Sequence, residues 1–208
     1  MKTIIALIIF LISINVTAQH SSAELMAGDK YLHYQHSLVH AFVKKVQLQH
    51  IATYITRYEH SQKPGAMGNE IMNQAYVAYT ISKGLTVKGG MFYTNASGYK
   101  ASLAVQLHHQ FKDLTVVIAP RADITKNGAY EVFALAEYTK HLRNKISWYS
   151  RIQFMSSITK QDHSRSYQQL RLGLRYKSWQ MGAGITTDEY GIAKKIHTNS
   201  GIFLGKKI

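Results

Sequence analysis

The chain has 208 residues, no cysteine, two prolines, and 25 Lys plus Arg against 11 Asp plus Glu, a formal net charge of +14. Without cysteine there is neither a disulfide framework nor a lipoprotein anchor. The positive charge suits anionic lipid head groups, lipopolysaccharide phosphates or nucleic acid, but the cations are dispersed over turns and one strand face. Behind an export signal, nucleic acid is not expected as a partner.

That signal is read at residues 1–18. Lys2 supplies the basic start, Ile4 to Ile14 form a short apolar run broken by Ser13, and Val16-Thr17-Ala18 supplies small residues ahead of Gln19. The run is too short for a membrane-spanning helix, which needs about 20 residues.

Residues 19–45 form an N-terminal segment with two readings. Tyr31 to Val43 fits a strand ending at a Lys44-Lys45 turn, or a periplasmic helix with Tyr31, Tyr34, Leu38 and Phe42 along one face. A strand requires a further short one near 22–28 and gives twelve strands in all, the favoured count; a helix leaves ten. His33, His36 and His40 have zinc-like spacing on a helix, whereas on a strand His33 points away from the other two. No carboxylate or thiol completes a ligand set, so neither a metal nor a cofactor is expected.

From residue 46 to 208 the chain reads as a β-barrel. Alternating apolar and polar residues predict strands at 46–58, 71–81, 85–94, 99–111, 114–122, 129–140, 146–156, 166–176, 179–187 and 194–206. Most have the 9–13 residues that a tilted strand needs to cross a bilayer. Short turns at Lys83-Gly84, Lys112-Asp113, Leu142-Arg143-Asn144 and Lys177-Ser178 alternate with longer polar links, the rhythm of periplasmic turns and extracellular loops.

The register can be set on paper. A two-residue hairpin at Lys177-Ser178 pairs Tyr176 with Trp179, Leu174 with Met181, Leu172 with Ala183 and Leu170 with Ile185. Its other face pairs Arg175 with Gln180, Gly173 with Gly182 and Arg171 with Gly184. A one-residue slip would exchange the faces, so the separation specifies the register. The hairpin at Lys112-Asp113 behaves likewise, with Phe111, His109 and Leu107 meeting Leu114, Val116 and Ile118. Tyr176, Trp179, Phe111, Tyr138 and Trp148 fall near short turns on the apolar face, where an interfacial aromatic girdle belongs. The fold class is therefore an all-β, antiparallel up-and-down transmembrane barrel of 10–12 strands, apolar outward and polar inward. On this register Leu172→Arg on the lipid side should cost more than Gly173→Ser on the lumen side.

The processing region Val16-Thr17-Ala18-Gln19, the repeated hairpins and the closing segment Ser200-Gly201-Ile202-Phe203-Leu204-Gly205-Lys206-Lys207-Ile208 resemble small outer-membrane β-barrel proteins of the Bacteroidota type. The resemblance implies residence in the cell outer membrane among lipid and lipopolysaccharide, and assembly by the barrel insertion machinery. Such barrels usually end in an aromatic residue; this chain ends in Ile208, with Phe203 upstream.

The lumen-facing polar set is Lys88, Gln106, His108, Arg121, Glu131, Glu137, Arg151, Arg171 and Arg175. Buried charges must be paired or hydrated, so a structural network is expected, with Glu131 and Glu137 among Arg121, Arg151 and Arg171. A narrow cationic path for small anions is the alternative use of these residues. At the outer rim Asp162, His163 and Ser164, with Ser156 and Ser157 beside them, offer hydrolase-type side chains. Adjacency in sequence is not catalytic geometry, and no nucleophile elbow, HExxH or phosphate-binding glycine loop is present. The expected protein is non-enzymatic, with no catalytic residues: an envelope scaffold, interaction platform or narrow pore. An outer-membrane enzyme acting on lipid or lipopolysaccharide is the alternative, and a soluble exported barrel with an apolar ligand comes third.

Overall fold

A computed structural model of the protein describes residues 21–59, 68–160, 162–193 and 195–208; the export-signal reading lies outside them. The strands are β1 (Ser22–Gly28), β2 (Tyr31–Val43), β3 (Val46–Arg57), β4 (Glu70–Ser82), β5 (Leu85–Thr94) and β6 (Gly98–Gln110). They continue as β7 (Leu114–Asp123), β8 (Tyr130–Arg143), β9 (Ile146–Ile158), β10 (His163–Tyr176), β11 (Trp179–Tyr190) and β12 (Lys195–Lys207). Each pairs antiparallel with its sequence neighbours, and β1 pairs with β12 to close the ring. The segment left open between strands and a helix is β1 and β2, which gives the favoured count of twelve strands, the first beginning at Ser22. Closure leaves no free sheet edge, the arrangement that lets strands pair their backbone groups inside a bilayer.

The β10–β11 hairpin has the register derived from alternation, from Tyr176 opposite Trp179 to Leu170 opposite Ile185, with Arg171 opposite Gly184. Its apolar side is the exposed one: Leu170, Leu172 and Leu174 are 39%, 43% and 44% exposed, whereas Arg171 is fully buried. A water-soluble protein has the opposite distribution; a barrel wall facing lipid has this one. Phe42, Tyr79, Phe111, Trp148 and Tyr176 are exposed on the same outer wall near the short turns.

Two departures from the sequence reading have simple causes. The β8–β9 turn lies at Asn144-Lys145, because Asn144 adopts a left-handed φ of 53° that asparagine tolerates, and β8 runs on to Arg143 past a register shift after His141. At the outer end, β9, β10 and β11 extend into stretches read as loops. Backbone pairing continues there above the apolar band, where polar side chains no longer mark a lipid face. Pro120 coincides with a gap in the β6–β7 ladder between the pairs Leu107–Ile118 and Ala104–Arg121, as a residue without an N–H would cause.

Gly173 and Gly182 face each other across β10 and β11 on the lumen side. A Cβ on Gly173 would stand 2.0 Å from Met181 O and 2.8 Å from Gly182 Cα. A milder Gly173→Ser depended on space on the lumen side, and that space is absent because backbone occupies it.

Candidate functional site

The polar interior is a set of ion pairs, some joining strands across the lumen and others joining neighbouring strands. The central one is built on Glu24, the third residue of β1, whose carboxylate turns inward. Both its oxygens lie 2.9 Å from Arg151 Nη2, although only Oε1 is aligned to accept that hydrogen; Oε1 also accepts from Arg171 Nε at 3.0 Å. Gln35 Nε2 donates to the same oxygen at 3.3 Å. Arg171 further donates from Nη1 to the carbonyls of Leu170 and Ile185, each at 3.1 Å. Its fork is thus held by backbone and carboxylate together, and one carboxylate serves two buried guanidinium groups.

Arg171 has room only because its cross-strand neighbour is glycine. A Cβ at Gly184 would lie 2.6 Å from Arg171 Cδ. Gly184→Ala is therefore expected to destabilise the barrel by roughly 1–3 kcal/mol, as overpacking generally does. Urea titration in lipid vesicles checks this, and an unchanged midpoint would mean that Arg171 can re-seat freely.

Nearer the short turns, Glu137 on β8 accepts from Arg175 Nη2 at 2.8 Å and from Tyr149 Oη at 3.3 Å, and pairs with Lys207 on β12. On the far wall, Arg121 pairs with Glu131 at 3.1 Å and with Asp123, and its guanidinium lies 3.8 Å from the Phe92 ring centroid. Asp123 also meets Lys100 at 3.4 Å. Lys88, 5% exposed, donates to Gln106 and forms no ion pair among the described residues. His108 shares the lumen-facing side of β6 with Gln106.

At the barrel end that carries the longer loops, Glu70 on β4 pairs with Arg57 at 2.6 Å and with Arg165 on β10 at 3.0 Å, and accepts from Tyr190 Oη at 2.8 Å. Arg165 also holds Asp188 at 2.6 Å, and Tyr31 Oη donates to Asp188 at 2.9 Å. In a ring of twelve, β4 and β10 stand opposite, so Glu70 and Arg165 bridge the two walls.

These groupings differ from the sequence-derived pairing. Glu137 takes Arg175 and Lys207 rather than Arg151 or Arg171, and those two arginines turn to Glu24. Glu24, Glu70, Asp188, Arg165 and Lys207 were not among the candidates. Asp188 and Arg165 share strand parity with Gln180 and Arg171, so they were within reach of the alternation. Glu24 was not, because the short strand near 22–28 was inferred from strand parity alone and its inward face was not assigned. Phe203 also turns inward: it is buried, with its ring centroid 5.9 Å from that of Tyr149.

The histidines of β2 separate by strand parity. His33 is buried on the inner side, while His36 and His40 lie on the outer wall, the separation expected of a strand. His36 Nε2 is 2.8 Å from His50 Nδ1 on β3, and His36 Nδ1 is 3.0 Å from Tyr34 Oη. Among the described residues no group of three or more His, Cys, Asp or Glu is placed to hold a metal ion.

The outer rim differs from its sequence expectation as well. His163 is held not by Ser164 but by two other groups: its Nε2 lies 2.9 Å from Ser166 Oγ and its Nδ1 3.0 Å from Gly191 O. Ser166 Oγ is also 2.9 Å from Ser156 Oγ across the β9–β10 ladder. Ser157, one residue on, faces the lumen and is buried.

No family model matches the chain, and no curated protein matches it in sequence. Solved structures do match. The KdgM porin superposes with a TM-score of 0.52 at 10% identity, covering 90% of this chain and 98% of its own; a second KdgM structure, in complex with disordered oligogalacturonate, gives 0.50 with the same coverage. The NanC porin gives 0.49 at 12% identity, covering 92% and 100%. This protein has the fold of outer-membrane β-barrels. At such identities the likeness concerns the fold alone.

Proposed function

We propose that this protein resides in the outer membrane as a barrel whose lumen is braced shut, serving as an envelope scaffold and interaction surface rather than as an open diffusion pore. The observation that carries this reading is the Glu70–Arg165 pair joining opposite walls at the mouth, above the Glu24–Arg151–Arg171 cluster. Charges removed from water are stable only when paired, so the interior is built to stay filled. In this reading the outer wall meets lipid and lipopolysaccharide, the barrel insertion machinery delivers the chain, and the lumen contributes no catalytic group.

Planar-bilayer recording of the purified protein tests it. The native barrel is expected to pass no steady current, and the double variant Glu70→Ala/Arg165→Ala to open measurable conductance. Steady current through the native protein would overturn the braced reading. Lys88 favours a second use, a narrow path for small anions, because it is a buried cation hydrogen-bonded to a neutral amide. That use requires an anion-selective current that Lys88→Gln abolishes.

A further inference from the structure

We propose that His163 and Ser166 form a catalytic dyad at the extracellular rim that hydrolyses acyl esters of the surrounding membrane lipid. The proposal goes beyond the braced-barrel reading and does not depend on whether the lumen conducts. Ser166 is opposite Ser156 on β9 and Glu189 on β11, so its side chain shares the lipid-facing side with Leu170 and Leu172 farther down β10. The dyad therefore faces the bilayer, above the apolar band, where ester linkages of the outer leaflet lie.

The geometry suits a nucleophile and its base. Gly191 O can only accept, so the hydrogen on the neutral imidazole sits on Nδ1, and the Nε2 lone pair is left for Ser166 Oγ at 2.9 Å. The Ser166 hydroxyl hydrogen, directed to Ser156 Oγ in the resting arrangement, reaches Nε2 by rotation about its C–O bond. A carbonyl that fixes the ring and its tautomer has the role of the third group in a nucleophile–base–orienter set. Gln168, two residues on and on the same face, brings an amide NH2 of the kind that stabilises a developing oxyanion. Exposed apolar residues adjoin the dyad in the ladder: Ile158 opposite His163, Phe154 opposite Gln168, and Ile196 opposite Glu189. They form a surface against which an acyl chain can lie.

In the reaction, Ser166 Oγ attacks the ester carbonyl carbon while its proton passes to His163 Nε2. The bond between that carbon and the alcohol oxygen breaks, and the alcohol leaves with the proton from Nε2. Water then attacks the acyl-serine, Nε2 takes its proton and returns it to Ser166 Oγ, and the fatty acid is released. Water is the only co-reactant, and no electron transfer is involved.

The test uses the full-length protein folded into vesicles and a long-chain alkyl fluorophosphonate, which traps an activated serine. Peptide mass spectrometry is expected to find the adduct on Ser166, with Ser164→Ala labelling like the native protein. His163→Gln, with unchanged heat-modifiable migration on gels, should slow labelling by roughly 10²–10⁴-fold, the usual worth of a positioned base. Fatty-acid release is then followed in two arms, phosphatidylethanolamine vesicles and vesicles containing lipopolysaccharide, to identify the source of the ester. An unlabelled native protein, an adduct at another residue, or labelling indifferent to His163→Gln would overturn the proposal. So would release in neither arm.

Discussion

Glu24→Gln is expected to destabilise the folded barrel by about 3–5 kcal/mol, the usual cost of breaking a fully buried ion pair from one side. The side chains of Glu24, Arg171 and Arg151 are 5%, 0% and 10% exposed. The glutamine keeps the shape and one accepting oxygen, so packing is nearly preserved while two guanidinium groups lose their counter-charge. Arg171→Met combined with Glu24→Gln should recover part of the loss, because it removes one of the stranded cations. Unfolding in urea with the protein in lipid vesicles, read by tryptophan fluorescence, checks both variants. A Glu24→Gln barrel as stable as the native one would mean that water enters the lumen and screens the cluster.

Leu172→Arg is expected to cost roughly 2–4 kcal/mol, because it places a guanidinium on the lipid face near the bilayer midplane. Gln168→Arg, on the same face of β10 four residues nearer the rim, should cost no more than about 1 kcal/mol, since charges near the interface are readily hydrated. The same titration measures the pair. Equal losses would contradict the position of the apolar band along β10. Gly173→Ala is not a mild control for this comparison: its Cβ would meet the Met181 carbonyl oxygen at 2.0 Å, so it too should destabilise, through the backbone rather than through solvation.

The alternation of Gln169 through Tyr176 was sufficient to assign the β10–β11 register residue by residue, because side chains on a strand have a period of two and lipid tolerates only one of the two faces. The same constraint, applied strand by strand, placed Arg151, Arg171, Arg175 and Glu137 on the inner side. Local sequence thus determined the class of fold, the outward face and most of the charged interior. It could not determine which charge meets which. Glu24 reaches Arg151 and Arg171 because closure sets β1 beside β12, joining residues more than 120 apart in the chain. Glu70 meets Arg165 because a ring of twelve puts β4 opposite β10. At the rim, Asp162, His163 and Ser164 drew attention as neighbours in sequence, yet the contact is between His163 and Ser166, with Gly191 arriving from the end of β11. Side-chain parity is a local property of the chain, whereas partners across a lumen or a bulge depend on closure and register shifts, and these exist only once all twelve strands have paired.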